Sequence, residues 1–356
     1  MQNKVIMHVD MDAFFAACEE QNDISLSGKP IVIGANPNEG KGRGVVSTCN
    51  YEARKYGIKS AIPISRAYKL CKDAVFLPVN FRLYSKYSKT IMNILRNYSE
   101  NFQQISVDEA FLDVSSEISD FDEAKIFAND LKEKVFEATG LSCSIGIGPN
   151  KLVAKVASDL NKPEGLVLVK ENEAKEFLAP LDIRKLYGIG PKMEQKLKML
   201  GINTAGELAN YNKEKLMNLF GVYGIYLSES ANGIGSSFVG EGNYGQISIG
   251  RETTFNYDTR NFSFVNKIIE ELSCEIHEEL LEEKYAFRTV NIKMRLHNFR
   301  TFTRAKTVSL SNDLYTISKT AKQLSKEFDS KKLRLVGVRV SNLENFKGQM
   351  SLKDFS

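Results

Sequence analysis

Four carboxylates in two pairs are the residues of this sequence best suited to do chemistry. Asp10 and Asp12 follow an apolar run that begins at Val5, and Asp108 and Glu109 interrupt the run "ISVDEAFLDV". Several carboxylates gathered together repel one another and acquire raised pKa values unless cations neutralise them. Hard divalent cations, Mg²⁺ above all, bind such oxygen ligands together with substrate phosphates. Two such ions could activate an attacking hydroxyl and stabilise a leaving pyrophosphate, whereas one acid taken alone is better explained as a helix cap or a solvated residue.

Strands are expected to carry these acids, because apolar residues flank both pairs. On a strand, Asp10 and Asp12 would point to one face and Met11 to the other. The patterns around them predict a mixed α/β fold with a β-α-β-β-α-β arrangement and a finger-like insertion between its first strand and first helix. That helix is predicted as a long amphipathic segment over residues 82–102.

The second half of the chain changes in character. Residues 171–235 are predicted to be helical with short loops, and "LYGIGPKMEQKLKMLGI" lies at their centre. A Gly- and Ser-rich linker follows. The last folded unit, from about 247 to 343, is predicted to have the strands "FRTVNIKMRL" and "LRLVGVRVSNL" around two helices, before a polar tail.

Composition limits the class of protein. A chain of 356 residues predicts two to four domains of an ordinary soluble globular protein. The five scattered cysteines lack metal-ligand spacing, which favours reduced thiols and disfavours a zinc site. No segment resembles a signal peptide or a membrane span, so we expect a cytoplasmic protein without a membrane partner.

Charge is distributed unevenly, although the net charge is only +4. Residues 284–312 carry seven Lys and Arg side chains and no acid, directly after the acidic segment "IIEELSCEIHEELLEE". This arrangement suggests a basic face for a polyanion, with an ordinary solvated sheet face as the alternative.

Five blocks of the sequence resemble the Y-family DNA polymerases, most closely the DinB branch with its archaeal translesion enzymes. In family order they are "VDMDAFFAACEE", "STCNYEARKYGIKSAIPISRA", "SVDEAFLDVS", "SIGIGPNKLVAKVASDLNKPEG" and "LYGIGPKMEQKLKMLGI". The resemblance runs from Val5 to about Leu343. It implies a right-hand architecture with a ferredoxin-like palm (1–13 and 80–170), small fingers (14–79), a helical thumb with a helix-hairpin-helix (171–233), a linker (234–246), a little finger (247–343) and a tail (344–356).

The resemblance implies a DNA-directed DNA polymerase of the translesion type that adds dNTPs to a primer 3′-hydroxyl with two Mg²⁺ ions. Low fidelity is expected, because no segment is left for a proofreading exonuclease. Asp10, Asp108 and Glu109 match the family's metal ligands, together with the backbone carbonyl of Met11. Asp12 is matched in the family but is expected only to support the site.

Other matches concern the incoming nucleotide. Phe15 matches the steric gate, whose ring excludes a ribose 2′-hydroxyl, while for Phe14 a role beside the sugar and simple core packing are both open. The residues that match triphosphate ligands are Thr48, Tyr51 and Arg54 in the fingers and Lys162 in the palm. Ser47 matches a small residue over the templating base, which leaves room for damaged templates.

Primer-template DNA is the partner that the remaining blocks imply. In the thumb, Gly188, Gly190 and Lys192 of "GIGPK" match a helix-hairpin-helix that binds phosphate through backbone N–H groups, with a plain helical hairpin as the alternative. In the little finger the expected DNA contacts are Lys293, Arg295, Arg300 and Arg304, and weaker candidates are Arg251, Arg334 and Arg339.

The tail suggests a protein partner. Gln349, Leu352 and Phe355 have the i, i+3, i+6 spacing of a peptide that binds a PCNA-type sliding clamp, although Ser356 replaces the usual second aromatic. A disordered end is the alternative, and the enzyme is expected to be a monomer.

Two other functions compete with the polymerase: a catalytically silent DNA- and clamp-binding protein with the same fold, and a nucleotide cyclase on a similar palm.

Overall fold

The computed structural model describes residues 4–118, 121–240 and 246–346, and the contacts among them define two compact units. The first unit contains residues 4–35, 45–62 and 66–240, apart from 119–120. The second contains residues 36–44, 63–65 and 246–346.

The elements before residue 240 comprise eight strands and eleven helices of the described chain. The strands are β1 (Ile6–Met11), β2 (Ile31–Gly34), β3 (Val46–Cys49), β4 (Val75–Leu77), β5 (Asn101–Gln104), β6 (Glu109–Asp113), β7 (Cys143–Gly148) and β8 (Leu166–Leu168). The helices are α1 (Phe14–Asn22), α2 (Tyr51–Lys55), α3 (Ile64–Leu70), α4 (Phe81–Arg96), α5 (Phe121–Thr139), α6 (Lys151–Ser158), α7 (Ala174–Leu178), α8 (Pro191–Met199), α9 (Ala205–Ala209), α10 (Lys213–Phe220) and α11 (Val222–Ala231).

A five-stranded sheet in the order β5-β6-β1-β7-β8 is the framework of the first unit. Its central strand β1 pairs antiparallel with β6 on one side and β7 on the other. In chain order β1, α4, β5, β6, α5 and β7 form the predicted β-α-β-β-α-β arrangement, and α6 leads to the added edge strand β8, parallel to β7.

The two faces of β1 have different neighbours because side chains alternate along a strand. Met7, Val9 and Met11 pack in the core cluster that also contains apolar side chains of α4 and α5. The opposite face carries Ile6, His8 and Asp10 and lies against α6, where Ile6 packs with Phe111, Ala154 and Val239.

Helix α6 lies very close to the sheet because β7 presents glycine to it. A Cβ atom on Gly146 would lie 2.0 Å from the carbonyl oxygen of Ala154 and 2.3 Å from the nitrogen of Ser158. Any larger residue at this position would therefore push α6 away from the sheet. Since α6 carries Lys155 and Ser158, the glycine sets how near these side chains come to β1.

The predicted helix over 82–102 is too long by six residues, because α4 ends at Arg96 and β5 begins at Asn101. The N–H groups of Asn97 and Tyr98 donate to carbonyls three residues earlier, which tightens and ends the helix. Ser99 Oγ then donates to the carbonyl oxygen of Asp113 at 2.7 Å and draws the chain into the sheet beside β6. An edge pairing with β6 thus replaces the last helical turn that the sequence pattern predicted.

The predicted insertion between β1 and α4 is present. It contains α1, α2 and α3 and a small sheet in the order β3-β2-β4. Asn50 caps α2 by accepting a hydrogen bond from Ala53 N at 3.0 Å, so that Tyr51 and Arg54 lie on one short helix.

Residues 171–233 are mainly helical, as predicted, with α7 to α11 around their own apolar cluster. The described part of the predicted linker, 234–240, is more than a spacer. Its Val239 is buried against the sheet, and Lys151 N donates to the carbonyl oxygen of Ser236 at 3.1 Å.

The second unit is a four-stranded antiparallel sheet in the order β11-β10-β12-β9, with two helices on one face. Its elements are β9 (Ser248–Thr259), α12 (Phe262–Glu282), β10 (Tyr285–Leu296), β11 (Thr301–Ser311), α13 (Leu314–Ser325) and β12 (Leu333–Asn345). The two predicted strands correspond to β10 and β12, and β12 runs two residues into the predicted tail.

All five cysteines are free thiols, in agreement with the sequence prediction. Across the described ranges, no helix has both the length and the apolar character needed to cross a bilayer.

Asn150 offers a test of how α6 is held. Its Oδ1 accepts a hydrogen bond from Val153 N at 3.1 Å, and its Nδ2 donates to the buried carbonyl oxygen of Gly233 at 2.8 Å. Asn150→Ala should lower the free energy of unfolding by about 2–3 kcal/mol, because it removes a cap and leaves a buried carbonyl without a donor. Thermal unfolding followed by circular dichroism measures the effect.

The exposed Asn212, which caps α10 through one hydrogen bond to Lys215 N, is the matched control. Asn212→Ala should cost only about 1 kcal/mol. Asn150→Asp should fall between wild type and Asn150→Ala, since it keeps the cap but loses the donor. Equal melting temperatures for Asn150→Ala and Asn212→Ala would contradict this account.

Candidate active site

Strand register brings Asp10 and Glu109 together. Asp10 on β1 is directly opposite Glu109, the first residue of β6, and opposite Ser144 on β7. Directly opposed residues of antiparallel strands project to the same face. Oxygen atoms of Asp10 and Glu109 and a ring nitrogen of His8 all lie within 4.8 Å of one another, so this face collects three potential metal ligands.

Asp10 is paired with a lysine from the loop after α6. Lys162 Nζ lies 2.5 Å from Asp10 Oδ1 and 3.1 Å from Asp159 Oδ1. Burial nevertheless raises the pKa of Asp10 to about 6, and the nearby carboxylates of Asp159 and Asp108 act in the same direction. The single ammonium group therefore offsets only part of the free-energy cost of burying the charged carboxylate of Asp10.

The pKa of Glu109 is shifted in the opposite direction from that of Asp10. Its Oε2 forms an ion pair with Lys155 Nζ and lies 3.4 Å from His8 Nε2. The hydrogen bonds from His8 and Lys155 hold the pKa of Glu109 down to about 2, although burial opposes them. Burial lowers the pKa of His8 itself, so that its ring is neutral at neutral pH.

Asp108 and Met11 meet through the backbone, since Met11 N donates to the carbonyl oxygen of Asp108 at 3.0 Å. The side chain of Met11 is buried in the core, so only its backbone is available to a ligand. The carboxylate of Asp108 is half-buried and accepts a hydrogen bond from Ser106 Oγ.

Asp12 has a different environment from Asp10. β1 ends at Met11, so Asp12 belongs to the turn that follows, and it is buried. Its carboxylate accepts hydrogen bonds from four donors, namely Ser144 Oγ (2.8 Å), Glu164 N (2.9 Å), Ser142 Oγ (3.0 Å) and Tyr51 Oη (3.3 Å). These use the roughly four acceptor positions of a carboxylate, so Asp12 connects the sheet, the Lys162 loop and α2.

Two residues of this site were missed by the sequence analysis. His8 lies two positions before Asp10 on the same strand, and the period of two was a signal that could have placed it on the same face. Lys155 follows Lys151 by one helical turn, and no feature of the sequence distinguished it from a solvated lysine.

The two phenylalanines are clearly separated by burial. Phe14 is buried in the core, whereas Phe15 is only partly buried. The Phe15 ring stacks on Tyr84 with centroids 4.2 Å apart and an interplanar angle of 10°, and it meets Phe81 edge-on at 6.4 Å. Tyr84 Oη donates to Glu19 Oε1 at 2.7 Å, which fixes the ring under Phe15.

The fingers candidates lie on β3 and α2. Ser47 is exposed and Thr48 is half-buried, both within β3. The guanidinium of Arg54 lies over the Tyr51 ring, 4.5 Å from its centroid, while the Tyr51 hydroxyl reaches Asp12. The hydroxyl thus links this helix to the sheet that carries the acids.

The glycine hairpin lies directly before α8. Gly188 has a φ of +89°, which favours glycine, and its carbonyl oxygen accepts a hydrogen bond from Tyr223 Oη at 2.8 Å. Gly190 is the N-cap residue of α8, and Lys192 is exposed in the first turn. Pro191 has no N–H and the amides of Met193 and Glu194 donate to the carbonyl oxygen of Gly190, so the backbone N–H of Lys192 and its ammonium group are the donors at the start of α8 that suit a phosphate.

The basic residues of the second unit do not form one face. Lys293 and Arg295 alternate with the buried Ile292 and Met294, so they point away from the two helices. Arg304 is paired with Ile292 in the ladder and lies on the helix side, where it contacts Glu327 at 2.7 Å.

The other arginine candidates also lie on different faces of this sheet. Arg339, opposite Gly250 on β9, shares the open face with Lys293 and Arg295. Arg251 lies on the helix side and pairs with Glu279 at 2.5 Å, while Arg334 lies over the Phe299 ring at 4.5 Å. Arg300 is exposed next to the turn between β10 and β11.

The candidates of the tail, Gln349, Leu352 and Phe355, lie outside the described residues.

Three family models match this chain. Residues 9–159 match the impB/mucB/samB family, residues 246–352 match the C-terminal domain of the same family, and residues 171–202 match its helix-hairpin-helix motif. The chain is 43% identical to "DNA polymerase IV 2" of Methanosarcina mazei, over 99% of this chain and 96% of that protein. It is 42% identical to "DNA polymerase IV" of Methanoculleus marisnigri, over 96% and 95% of the two chains.

Solved structures are similar over nearly the whole chain. A Y-family DNA polymerase chimera matches with a TM-score of 0.85 and 27% identity, over 95% of this chain and 99% of the chimera. An insertion ternary complex of the Dbh DNA polymerase matches with a TM-score of 0.66 and 28% identity, over 95% and 99% of the two chains.

The opposite pKa shifts of Asp10 and Glu109 predict opposite effects of neutralising them in metal-free protein. The pKa of Asp10 rises from 3.8 to about 6 on folding, so its ionisation costs stability progressively between those pH values and fully above them. The pKa of Glu109 falls from 4.5 to about 2, so its stabilisation is complete above pH 4.5 and is lost as the pH falls towards 2. At pH 7.5 with EDTA, Asp10→Asn should stabilise and Glu109→Gln should destabilise the fold, each by roughly 2–3 kcal/mol.

Repeating the melts at pH 5 provides the internal control. The gain from Asp10→Asn should fall to about half, because folded Asp10 is then mostly protonated, while the loss from Glu109→Gln should persist. Changes of the same sign in the two variants, or a gain from Asp10→Asn that is independent of pH, would show that the charges are not arranged in this way.

Proposed function

Because the chain belongs to the impB/mucB/samB family, that is, to the DinB-like Y-family DNA polymerases, we propose that Asp10, Asp108 and Glu109 are the metal ligands with which it extends a primer. The chain is a DNA-directed DNA polymerase of the translesion type. The observation that supports the assignment is the register pair of Asp10 and Glu109 at the end of β1, with Asp108 next in the chain.

The side chains present fit a hard divalent cation. The donor set is composed of carboxylate oxygens and the backbone of Met11. The pKa of Asp10 is raised chiefly by burial, which the ammonium group of Lys162 offsets only in part. Enzymes of this family are metal-dependent, and we propose Mg²⁺, two per site. When bound, the pair of ions would activate the primer 3′-hydroxyl and stabilise the leaving pyrophosphate.

Lys162 is proposed to have two partners in turn. In the structure its ammonium group neutralises Asp10. Cation binding at Asp10 would repel it, and the triphosphate of the incoming dNTP offers a new anionic partner nearby. Thr48, Tyr51 and Arg54 are proposed to bind the same triphosphate from the fingers, where the guanidinium provides a planar fork for two phosphate oxygens.

Sugar selection is assigned to Phe15. Its partly exposed ring is held flat by the stack on Tyr84, so it is a rigid surface against which a 2′-hydroxyl would clash. Phe14 is assigned to core packing because of its burial. Ser47 is proposed to leave space above the templating base, which agrees with the bypass of damaged templates.

The chain is proposed to bind primer-template DNA through two surfaces with different chemistry. Gly188, Gly190 and Lys192 would hold a phosphate at the start of α8. Lys293 and Arg295, together with Arg339 on the open face of the second sheet, would contact phosphates without reading sequence. Lys293 pairs with Glu252 and Arg304 with Glu327, and Arg304 is the weaker candidate because it lies on the helix side of the sheet.

We also propose the division into palm, fingers, thumb, linker and little finger at the boundaries given above, a monomeric state, and clamp binding by the tail.

The assignment of the acids is tested by primer extension on intact and abasic templates with Mg²⁺ and all four dNTPs. Asp108→Ala and Glu109→Ala should abolish extension and leave DNA binding largely intact, as measured by fluorescence anisotropy. Asp130→Ala is the matched control, because this exposed acid of α5 contacts Tyr98 and not the site. Wild-type protein that binds DNA but never extends a primer would favour the catalytically silent alternative, and unchanged activity of both variants would reject the assigned ligands.

The sugar gate gives an independent prediction. Phe15→Ala should raise the ratio of ribonucleotide to deoxyribonucleotide incorporation on the order of tenfold or more, because the clash with the 2′-hydroxyl disappears. Single-nucleotide insertion kinetics with dCTP and CTP measure the ratio. Phe14→Ala should leave the ratio unchanged even where it lowers stability, and the reverse result would move the gate to Phe14.

A further inference from the structure

Lys155 is an ammonium group in the catalytic acid cluster that none of the assignments above uses. It lies on α6 and its side chain is 17% exposed. Its Nζ contacts Glu109 Oε2, lies 3.4 Å from His8 Nε2 and is 5.6 Å from the centroid of the Tyr187 ring. The ammonium group is thus confined by a carboxylate, an imidazole and an aromatic face.

His8 is itself fixed from behind. The ring is completely buried, and its Nδ1 lies 2.8 Å from Ser158 Oγ on the last turn of α6. In one neutral tautomer Nδ1–H donates to Ser158 and Nε2 accepts from Lys155. In the other, Nε2–H donates to Glu109, and the Ser158 hydroxyl must give up its hydrogen bond to the carbonyl oxygen of Lys155 (2.8 Å) in order to donate to Nδ1. In the first tautomer Lys155 alone donates to Oε2 of Glu109, and in the second Lys155 and His8 both donate to it.

The consequence concerns the orientation of Glu109. The contacts of Lys155 and His8 both fall on Oε2, so Oε1 is the oxygen left for a cation beside Asp10. A glutamate side chain has three rotatable bonds and loses appreciable entropy when it must adopt one orientation. Partners that already hold one carboxylate oxygen of Glu109 reduce the entropy that is lost when the other oxygen binds a cation.

We propose that Lys155, braced by His8 and Ser158, is a positioning residue for Glu109: it holds Oε2 so that Oε1 faces the metal position next to Asp10. This inference rests on the proposed function, since it requires Glu109 to be a metal ligand. Lys155 differs in role from Lys162, which lies on Asp10 and is proposed to leave it for the triphosphate.

Lys151 provides a matched control on the same helix. It precedes Lys155 by one turn, and its Nζ lies 3.1 Å from Gln103 Oε1 and 5.8 Å from the centroid of the Phe111 ring. The two lysines thus share a helix, a side-chain length and an aromatic neighbour, but the hydrogen bond of Lys151 goes to an amide oxygen.

The experiment is single-turnover insertion of one dNTP into a bound primer-template by rapid quench, which separates the maximal rate from the dNTP concentration at half-maximal rate. Lys155→Met should lower the maximal rate by about 10- to 100-fold, the range found when outer partners of metal ligands are lost, and leave the half-saturating dNTP concentration nearly unchanged. Lys155→Arg should recover part of the rate, because it restores a charged donor to Oε2. Lys151→Met should match wild type in both quantities.

Glu109→Gln separates failure of this inference from failure of the proposed function. A wild-type rate in Glu109→Gln would reject Glu109 as a ligand, whatever Lys155 does. If Glu109→Gln is slow, Lys155→Met should add no further loss in the double variant, because both changes act on one carboxylate. Additional loss in the double variant would overturn the positioning role.

Three results for the Lys155→Met variant would contradict the positioning role. A rate of Lys155→Met equal to that of Lys151→Met would overturn the proposal. A large rise in the half-saturating dNTP concentration or weaker DNA binding would also overturn it, because Lys155 would then be a substrate ligand. Melting temperatures establish that each variant is folded, and if Lys155→Met is not, Lys155→Gln and Ser158→Ala undergo the same measurement with a loss of maximal rate expected in both.

Discussion

The pairing of Asp10 with Glu109 across two hydrogen-bonded strands is the constraint on which the rest of this site depends. Like charges directly opposite on one face of a sheet destabilise it. The chain meets this cost with two lysines, one from α6 and one from the loop after it, each held against a different acid. The compensation is unequal: the carboxyl of Asp10 has a raised pKa and that of Glu109 a lowered one. Asp10 is therefore the acid that gains more from an arriving cation, and Glu109 the acid whose place is already determined.

Helix α6 is the common support of this arrangement. It approaches β1 closely because Gly146 on β7 has no side chain, and it begins at the doubly bonded cap Asn150. From that position it places Lys155 and Ser158 around His8. Asp12 provides a second connection, since its four hydrogen bonds join the turn after β1 to α2 and to the loop that carries Lys162. The acids, their counter-ions and helix α2 thus belong to one hydrogen-bonded network.

The sequence predicted the secondary-structure elements better than it predicted which side chains contact one another. The alternation around Asp10 and the run "ISVDEAFLDV" predicted the strands, and the βαββαβ order followed from element types alone. The pattern failed at the end of α4, where a hydrogen bond from Ser99 to β6 outweighs helical periodicity. The sequence pattern also placed Arg304 and Lys293 on one basic face, although they lie on opposite faces of the sheet. The face of Arg304 is set by its pairing with Ile292 on β10, and no local pattern reveals that register. Lys155 was missed for the same reason: its role arises from residues 46 and 147 positions away.

The central position of β1 has a consequence for how the site responds to local opening. Its backbone is hydrogen-bonded to β6 on one side and β7 on the other, so neither edge frays into solvent. Amide protons in such a strand exchange with solvent only when the whole cooperative unit opens, whereas those of loops exchange through small fluctuations. The acid pair is therefore built on two paired strands of the sheet, Asp10 on β1 and Glu109 on β6, whereas Lys162 reaches Asp10 from a loop outside the sheet. A change of partner by Lys162 would therefore move a side chain of the loop and leave the two strands that carry the carboxylates in place.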